Sequence, residues 1–153
     1  MAVVRARRMA IRKARQRLKD RDAMETLIQY AKHIPPKDQQ LLASYFESHF
    51  SLYELACIRK TTRSSIRRRI HSLVSRLSDP MFRAVVRYGR QLPAHLAMVV
   101  KARYVQGHGW ARIEKDHGLT HPQARHRLRQ AKLMLVRFVL RDIGQGEIAK
   151  MLA

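Results

Sequence analysis

Cys57 is the only cysteine in the chain, which excludes an internal disulfide framework and fits a reducing compartment. It lies on an apolar helical stripe, so it is expected to be a small core residue and not a reactive thiol. Acids are also scarce: 11 Asp and Glu stand against 32 Lys and Arg, a formal net charge of +21. The few acids fall mostly at helix starts, where capping explains them. Paired catalytic carboxylates, a phosphate loop and a nucleophile-base pair are all missing, so no enzyme and no cofactor are expected. His108, His117, His121 and His126 cluster in sequence but lack regular ligand spacing and any cysteine pair, so no metal site is expected. No apolar run approaches a membrane span, and Met1 to Arg5 is not followed by the apolar stretch of a secretory signal. Residues 1 to 19 are Arg-rich and acid-free like an organellar transit peptide but lack its serines. The expectation is a cytoplasmic, nucleoid-associated protein with no membrane partner.

What the chain does contain is apolar residues, 46% of the total, at spacings of three and four nearly throughout. No alternating strand pattern is present, so the fold should be all-α. Residues 1 to 33 read as one long helix or two, with Asp22 and Glu25 spaced like a capping box that restarts it. Pro35 and Pro36 stop that helix, and Ser78-Asp79-Pro80 opens a short connecting helix to about Arg87. Gly144 and Gly146 are expected to end the ordered part. The organisation is then a basic helical arm at 1–34, one unit at 35–78, a second at 79–142 and a short tail at 143–153.

The positive charge is sorted into blocks. No acid precedes Asp20, none lies between Glu54 and Asp79, and none lies between Asp116 and Asp142. Blocked charge makes surfaces, not an even coat, and a polyanionic partner is the simplest reason to carry it. A weak internal repeat sets Tyr45 to His49 over Tyr104 to His108, and Leu55 to Ile70 over Ile113 to Leu128, with one extra residue between the two stretches in the first copy.

Each copy reads as a helix-turn-helix. In the first, Ser51 and Glu54 form a capping box for a short helix through Ile58, and Thr62 caps the next helix. There Ile66, Ile70, Leu73 and Leu77 form an apolar stripe, while Ser64, Arg67, Arg68, His71 and Ser75 lie opposite, flanked by Arg63 and Arg69. In the second, Pro93 opens a helix to Gln106, Gly107 stops it, Trp110 to His117 form a short helix, and Gly118 makes the turn. Thr120 then caps a helix with Ala124, Leu128, Ala131 and Leu135 inside and Arg125, His126 and Arg129 outside. Farther along, Leu133, Val136 and Leu140 occupy that same outer side and are expected to pack on the arm, a second chain or a partner protein. Tyr45, Phe46, Tyr104 and Trp110 sit at core spacing.

Tyr45-Phe46-Glu47, Leu55-Ala56 and Thr62-Arg63-Ser64-Ser65-Ile66-Arg67-Arg68-Arg69-Ile70 resemble region 4 of sigma-70-type RNA polymerase sigma factors, the module that reads the −35 promoter element. Tyr104 to Leu128 is similar but more divergent. The resemblance implies base and phosphate contacts from Arg63, Ser64, Arg67 and Arg68, with Gln123, Arg125, His126 and Arg129 as a second set; Thr62 and His71 in the first unit and His121 in the second are further DNA-binding candidates. Arg5, Arg8, Arg12, Arg15, Lys60 and Arg69 are expected to follow phosphates. Lys60 stands at the usual turn glycine, Glu114 at a usual small residue, and Trp110 is bulkier than the pattern. Nothing before Pro35 resembles the other sigma modules, so a complete initiating sigma factor is not expected.

The function expected is a sequence-specific, duplex-DNA-binding transcription regulator of bacterial or phage type that reads the major groove with the Thr62–Leu77 helix. The rival is an RNA polymerase-binding factor, or a phage late-gene antiterminator, using one unit for DNA and the other for polymerase through Leu133, Val136 and Leu140. Structured RNA is a third partner class, supported by charge alone. A homodimer is a further candidate assembly.

Overall fold

The computed structural model describes residues 21–152, with side chains to residue 144. Among the described residues there are helices and turns and no strand, so the chain is all-α. α1 covers 21–31, α2 Pro36–Phe46, α3 Leu52–Ile58, α4 Arg63–Ser78, α5 Pro80–Tyr88, α6 Ala94–Val100, α7 Trp110–His117 and α8 His121–Leu152. A 3-10 turn at Gly89–Gln91 precedes α6, and a π-helical turn at Lys101–Val105 continues it.

The boundaries follow from local chemistry. Pro36 takes the first turn of α2, where a missing N–H costs nothing. α3 opens on a reciprocal box: Ser51 Oγ accepts from the Glu54 amide at 3.2 Å, and Glu54 Oε2 accepts from the Ser51 amide at 2.8 Å. The Ser51 amide holds the Glu54 carboxyl below its ordinary value. Thr62 Oγ1 accepts from the Ser65 amide to start α4, and Asp79 accepts from the Met81 amide to start α5. Each such cap is worth about 1 kcal/mol. Asp22 and Glu25 do not form the box their spacing suggests: Glu25 pairs with Arg21, and the Asp22 carbonyl accepts from Thr26.

The internal repeat runs in one register of 58 residues, without the extra residue that the tyrosine alignment demands. The helix-starting prolines Pro35 and Pro93 share φ near −55° and −53° (93 − 35). The capping threonines Thr62 and Thr120 (120 − 62) correspond as well. So do the left-handed residues His49 at φ 56° and Gly107 at φ 70° (107 − 49), and Lys60 at φ 51° and Gly118 at φ 60° (118 − 60). The buried stripe Ile66, Ile70, Leu73, Leu77 of α4 recurs as Ala124, Leu128, Ala131, Leu135 of α8 in the same register. Pairing Tyr45 with Tyr104 is therefore one position out; Phe46 is the residue in register with Tyr104.

Two buried clusters result. The first joins Ala31 and Ile34 to the apolar faces of α2, α3 and α4 and takes in Phe82 from α5. The second joins Ala84, Val85 and Tyr88 of α5 to α6, α7 and α8. α5 thus feeds both cores, and Tyr104 and Val105, at the π-helical turn, pack against both. The boundaries at 34 and 78 divide the chain but not the packing. Tyr30 meets Phe82 edge to face at 6.1 Å, so the end of the expected arm belongs to the first core.

Two further expectations are overturned. Cys57 is exposed, because the buried face of α3 is filled by Leu55 and Ala56. The chain does not become a tail at 143: α8 runs through Gly144 and Gly146 to Leu152. Two interior glycines cost about 1 kcal/mol each, too little to stop a helix with no proline and good helix formers beyond them.

Candidate nucleic-acid interface

α4 separates its faces sharply. Ile66, Ile70, Leu73 and Leu77 are buried, whereas Thr62, Arg63, Ser64, Arg67, Arg68 and His71 are all exposed. α3 packs across α4 through Leu55 and Ala56, and Arg59 Nη2 donates to the Lys37 carbonyl at 2.8 Å, tying the turn to α2. Thr62 and Ser65 share a hydroxyl hydrogen bond of 2.9 Å, and Arg68 Nε donates to the Ser64 carbonyl at 3.4 Å. Among the described residues, Arg63, Arg67 and Arg68 form no pair with an acid. Three guanidinium groups thus stand at the positive end of the α4 dipole with their donors uncommitted to a carboxylate, an arrangement that attracts anions.

Arg69 differs from the phosphate-following role expected of it. Its Nε and Nη2 donate to Asp38 Oδ1 at 3.1 and 2.8 Å, and Nη2 also reaches Oδ2 at 2.8 Å. Asp38 is only 5% exposed and sits in the first turn of α2, so it anchors α4 to α2 from within. Arg76 approaches the same carboxylate at 3.8 Å, within ion-pairing range but too far for a hydrogen bond, and its Nε and Nη2 are buried without a partner. Burial pushes the Arg76 guanidinium below its ordinary value, with Asp38 opposing. On its other side Arg76 lies against Gly107, where an added Cβ would fall within 1.5 Å of Nη1. Arg76 is therefore a strut between the two units that sequence reasoning passed over. Asp38 carried the available signal: it is an acid three residues before Leu41, on the inward side of α2.

The second reading set is partly spent on the protein itself. Gln123 Oε1 accepts from the Thr120 amide at 2.9 Å, closing a cap, and His121 Nδ1 lies 2.5 Å from Glu114 Oε1. The His121 ring also meets Trp110 edge to face at 5.6 Å. Glu114 occupies the position of Ala56 in the first unit, so the larger side chain finds room by reaching over the start of α8. Arg125, His126 and Arg129 remain on the exposed face. The second unit therefore presents fewer free donors at its helix start, and an acid beside them. Lys60 is exposed at the turn of the first unit. Arg5, Arg8, Arg12 and Arg15 lie outside the described residues.

Comparison of the chain with protein-family models, with curated proteins and with solved structures finds no match.

Leu133, Val136 and Leu140 are 60%, 44% and 61% exposed, so among the described residues nothing covers them. Tyr45, Phe46, Tyr104 and Trp110 are partly buried against the cores, as packing residues are. Among the described residues no helix is long and apolar enough to cross a membrane, and no three His, Cys, Asp or Glu side chains are grouped to hold a metal ion.

Proposed function

We propose that the chain is a sequence-specific duplex-DNA-binding regulator of transcription that inserts the start of α4 into the major groove, as its resemblance to sigma region 4 implies. One observation carries the reading: α4 buries its aliphatic side and leaves Arg63, Arg67 and Arg68 exposed and, among the described residues, unpaired with acids, beside Ser64 and His71. Arginine in this position can donate two parallel bonds to a guanine edge, and the serine and threonine hydroxyls can reach bases or phosphates. Lys60 follows the backbone. Arg125, His126 and Arg129 of α8 add contacts of the same kind, weakened by Glu114 at the helix start.

Selection of bound duplexes from a random pool tests this. The wild type should return a defined site, and Arg67→Ala should relax preference at one or two positions while keeping residual affinity, a loss of about 1–3 kcal/mol at those positions. Neutralising about six phosphates also predicts a roughly thousandfold fall in affinity between about 50 and 200 mM salt. If no site emerges, or if Arg67→Ala and Lys60→Ala weaken every sequence alike, α4 does not read bases. A second reading, a polymerase-binding factor or antiterminator, draws on the exposed apolar stripe of α8.

A further inference from the structure

Leu133, Val136, Leu140 and Ile143 follow one another at intervals of three, four and three along α8, and each is between 44% and 61% exposed. At about 100° per residue they fall within one narrow stripe, roughly 15 Å long at 1.5 Å per residue. The fold does not demand this pattern. In the register of the repeat, the first unit carries Ser75 and Ser78 where the second carries Leu133 and Val136. Its counterpart of Leu140 is Phe82, fully buried because the chain turns into α5 there. In the second unit α8 runs straight on, and among the described residues nothing covers its apolar side, a contiguous exposed stripe of the kind that marks an interaction surface.

The stripe leads into a groove. Ile143 also lines an open depression of about 380 Å³ between α1, α5 and α8, whose walls include Tyr30, Val139, Arg83 and Arg87. Arg87 is held 3.3 Å from Asp142 yet is 71% exposed, and Arg83 lies over the Tyr30 ring. Lys132 and Arg137 flank the stripe, and Arg129 continues it toward the start of α8. Among the described residues, the charged side chains that border this surface are cationic apart from Asp142.

We propose that the stripe and the groove together are the docking site for an amphipathic helix of a partner protein, with aliphatic or aromatic residues on its inner face and acidic residues along both edges. Charge selects this occupant over a second copy of the chain, because self-pairing would set Lys132 and Arg137 of one copy beside the like charges of another. Area selects it too: the four side chains offer roughly 400 Å², about half of what each partner of a stable dimer buries. A single helix laid in a groove is the recognition mode that a stripe with this spacing fits. The proposal gives the chemistry of a protein partner and does not depend on α4 reading DNA.

The test uses the full chain and a fluorescent synthetic helical peptide with leucines at the inner positions and glutamates on the edges. It is compared with a scrambled isomer of equal charge and with a version edged by lysine. The acidic amphipathic peptide should bind at least about tenfold more tightly than its scrambled isomer, and Leu133→Ser with Leu140→Ser should remove that advantage. Arg137→Glu should shift preference toward the lysine-edged peptide, and it carries the test if the leucine variants fold poorly. Equal binding of the scrambled isomer, unchanged binding by both variants, or a dimer in sedimentation equilibrium that the leucine variants dissolve would each overturn the proposal. DNA affinity measured on the same variants should not change, so loss of docking and loss of DNA reading are told apart.

Discussion

Replacing Asp38 by Leu should destabilise the protein by about 3 kcal/mol, and adding Arg76→Met should recover most of the loss. Asp38 is buried and faces two guanidinium groups, but these do not share the cost of losing it equally. The Arg69 side chain is 53% exposed, so water takes up its charge when the carboxylate goes. Arg76 is 16% exposed, and two of its nitrogens already lack hydrogen-bond partners, so it would become a buried, uncompensated cation. Removing one partner of a buried pair typically costs about 3–5 kcal/mol, and the 3.8 Å separation places this case at the lower end. The second unit shows the apolar alternative in the same register, with Leu96 at the position of Asp38 and Met134 at that of Arg76, both packed in its core. Asp38→Leu with Arg76→Met should therefore lie within about 1 kcal/mol of wild type, a recovery of about 2 kcal/mol relative to Asp38→Leu alone. Thermal unfolding followed by circular dichroism reads this as a fall of about 6–12 °C for Asp38→Leu, largely reversed in the double variant. Additive effects, with the double variant as unstable as the sum of the singles, would refute the assignment of the cost to Arg76.

Lys60 holds a left-handed conformation at φ 51° where the second unit has Gly118 at φ 60°. Lys60→Gly should raise stability by about 0.5–1 kcal/mol, net of the greater freedom of glycine in the unfolded chain, and Gly118→Ala should lower it by about 1 kcal/mol; urea midpoints check both. His108 titrates below its ordinary value because of burial first and Arg112 second, with Asp116 opposing. As pH falls through about 6.5 the unfolded chain takes up that proton before the folded one, so this contribution to stability is whole above that pH and declines below it. Melting temperature should drop between about pH 7.5 and pH 5.5, and the drop should shrink in His108→Gln; an identical drop would mean other groups cause it.

The elements of the fold were legible wherever a local rule sufficed. Ser51, Thr62 and Asp79 can satisfy open amides within three residues of themselves, so these caps could be read from spacing alone. The stripes of α4 and α8 follow from helical periodicity in the same way. Gly144 misled because a helix end was inferred from propensity, which is worth about 1 kcal/mol and yields to its neighbours. Cys57 misled because a short helix has room for one buried face, and Leu55 and Ala56 occupy it. The stretch Tyr45 to His49 was set one position out, unlike Leu55 to Ile70, because side-chain likeness between Tyr45 and Tyr104 outweighed backbone conformation, which single residue types seldom reveal when His49 stands in for glycine.

The amino-acid pattern alone establishes an all-helical chain with blocked positive charge, in which α4 and the first half of α8 present a cationic side opposite an apolar one, because periodicity and capping act within a few residues. Only tertiary structure decided which cations are available. Arg69 and Arg67 are alike in sequence, two places apart on one helix, yet Arg69 is spent on Asp38 whereas Arg67 meets no acid among the described residues. The difference arises because α2 brings a carboxylate from 31 residues away against one side of α4 only. Whether a charge faces a partner or the protein depends on what packs beside it, and that is a property of the folded neighbourhood.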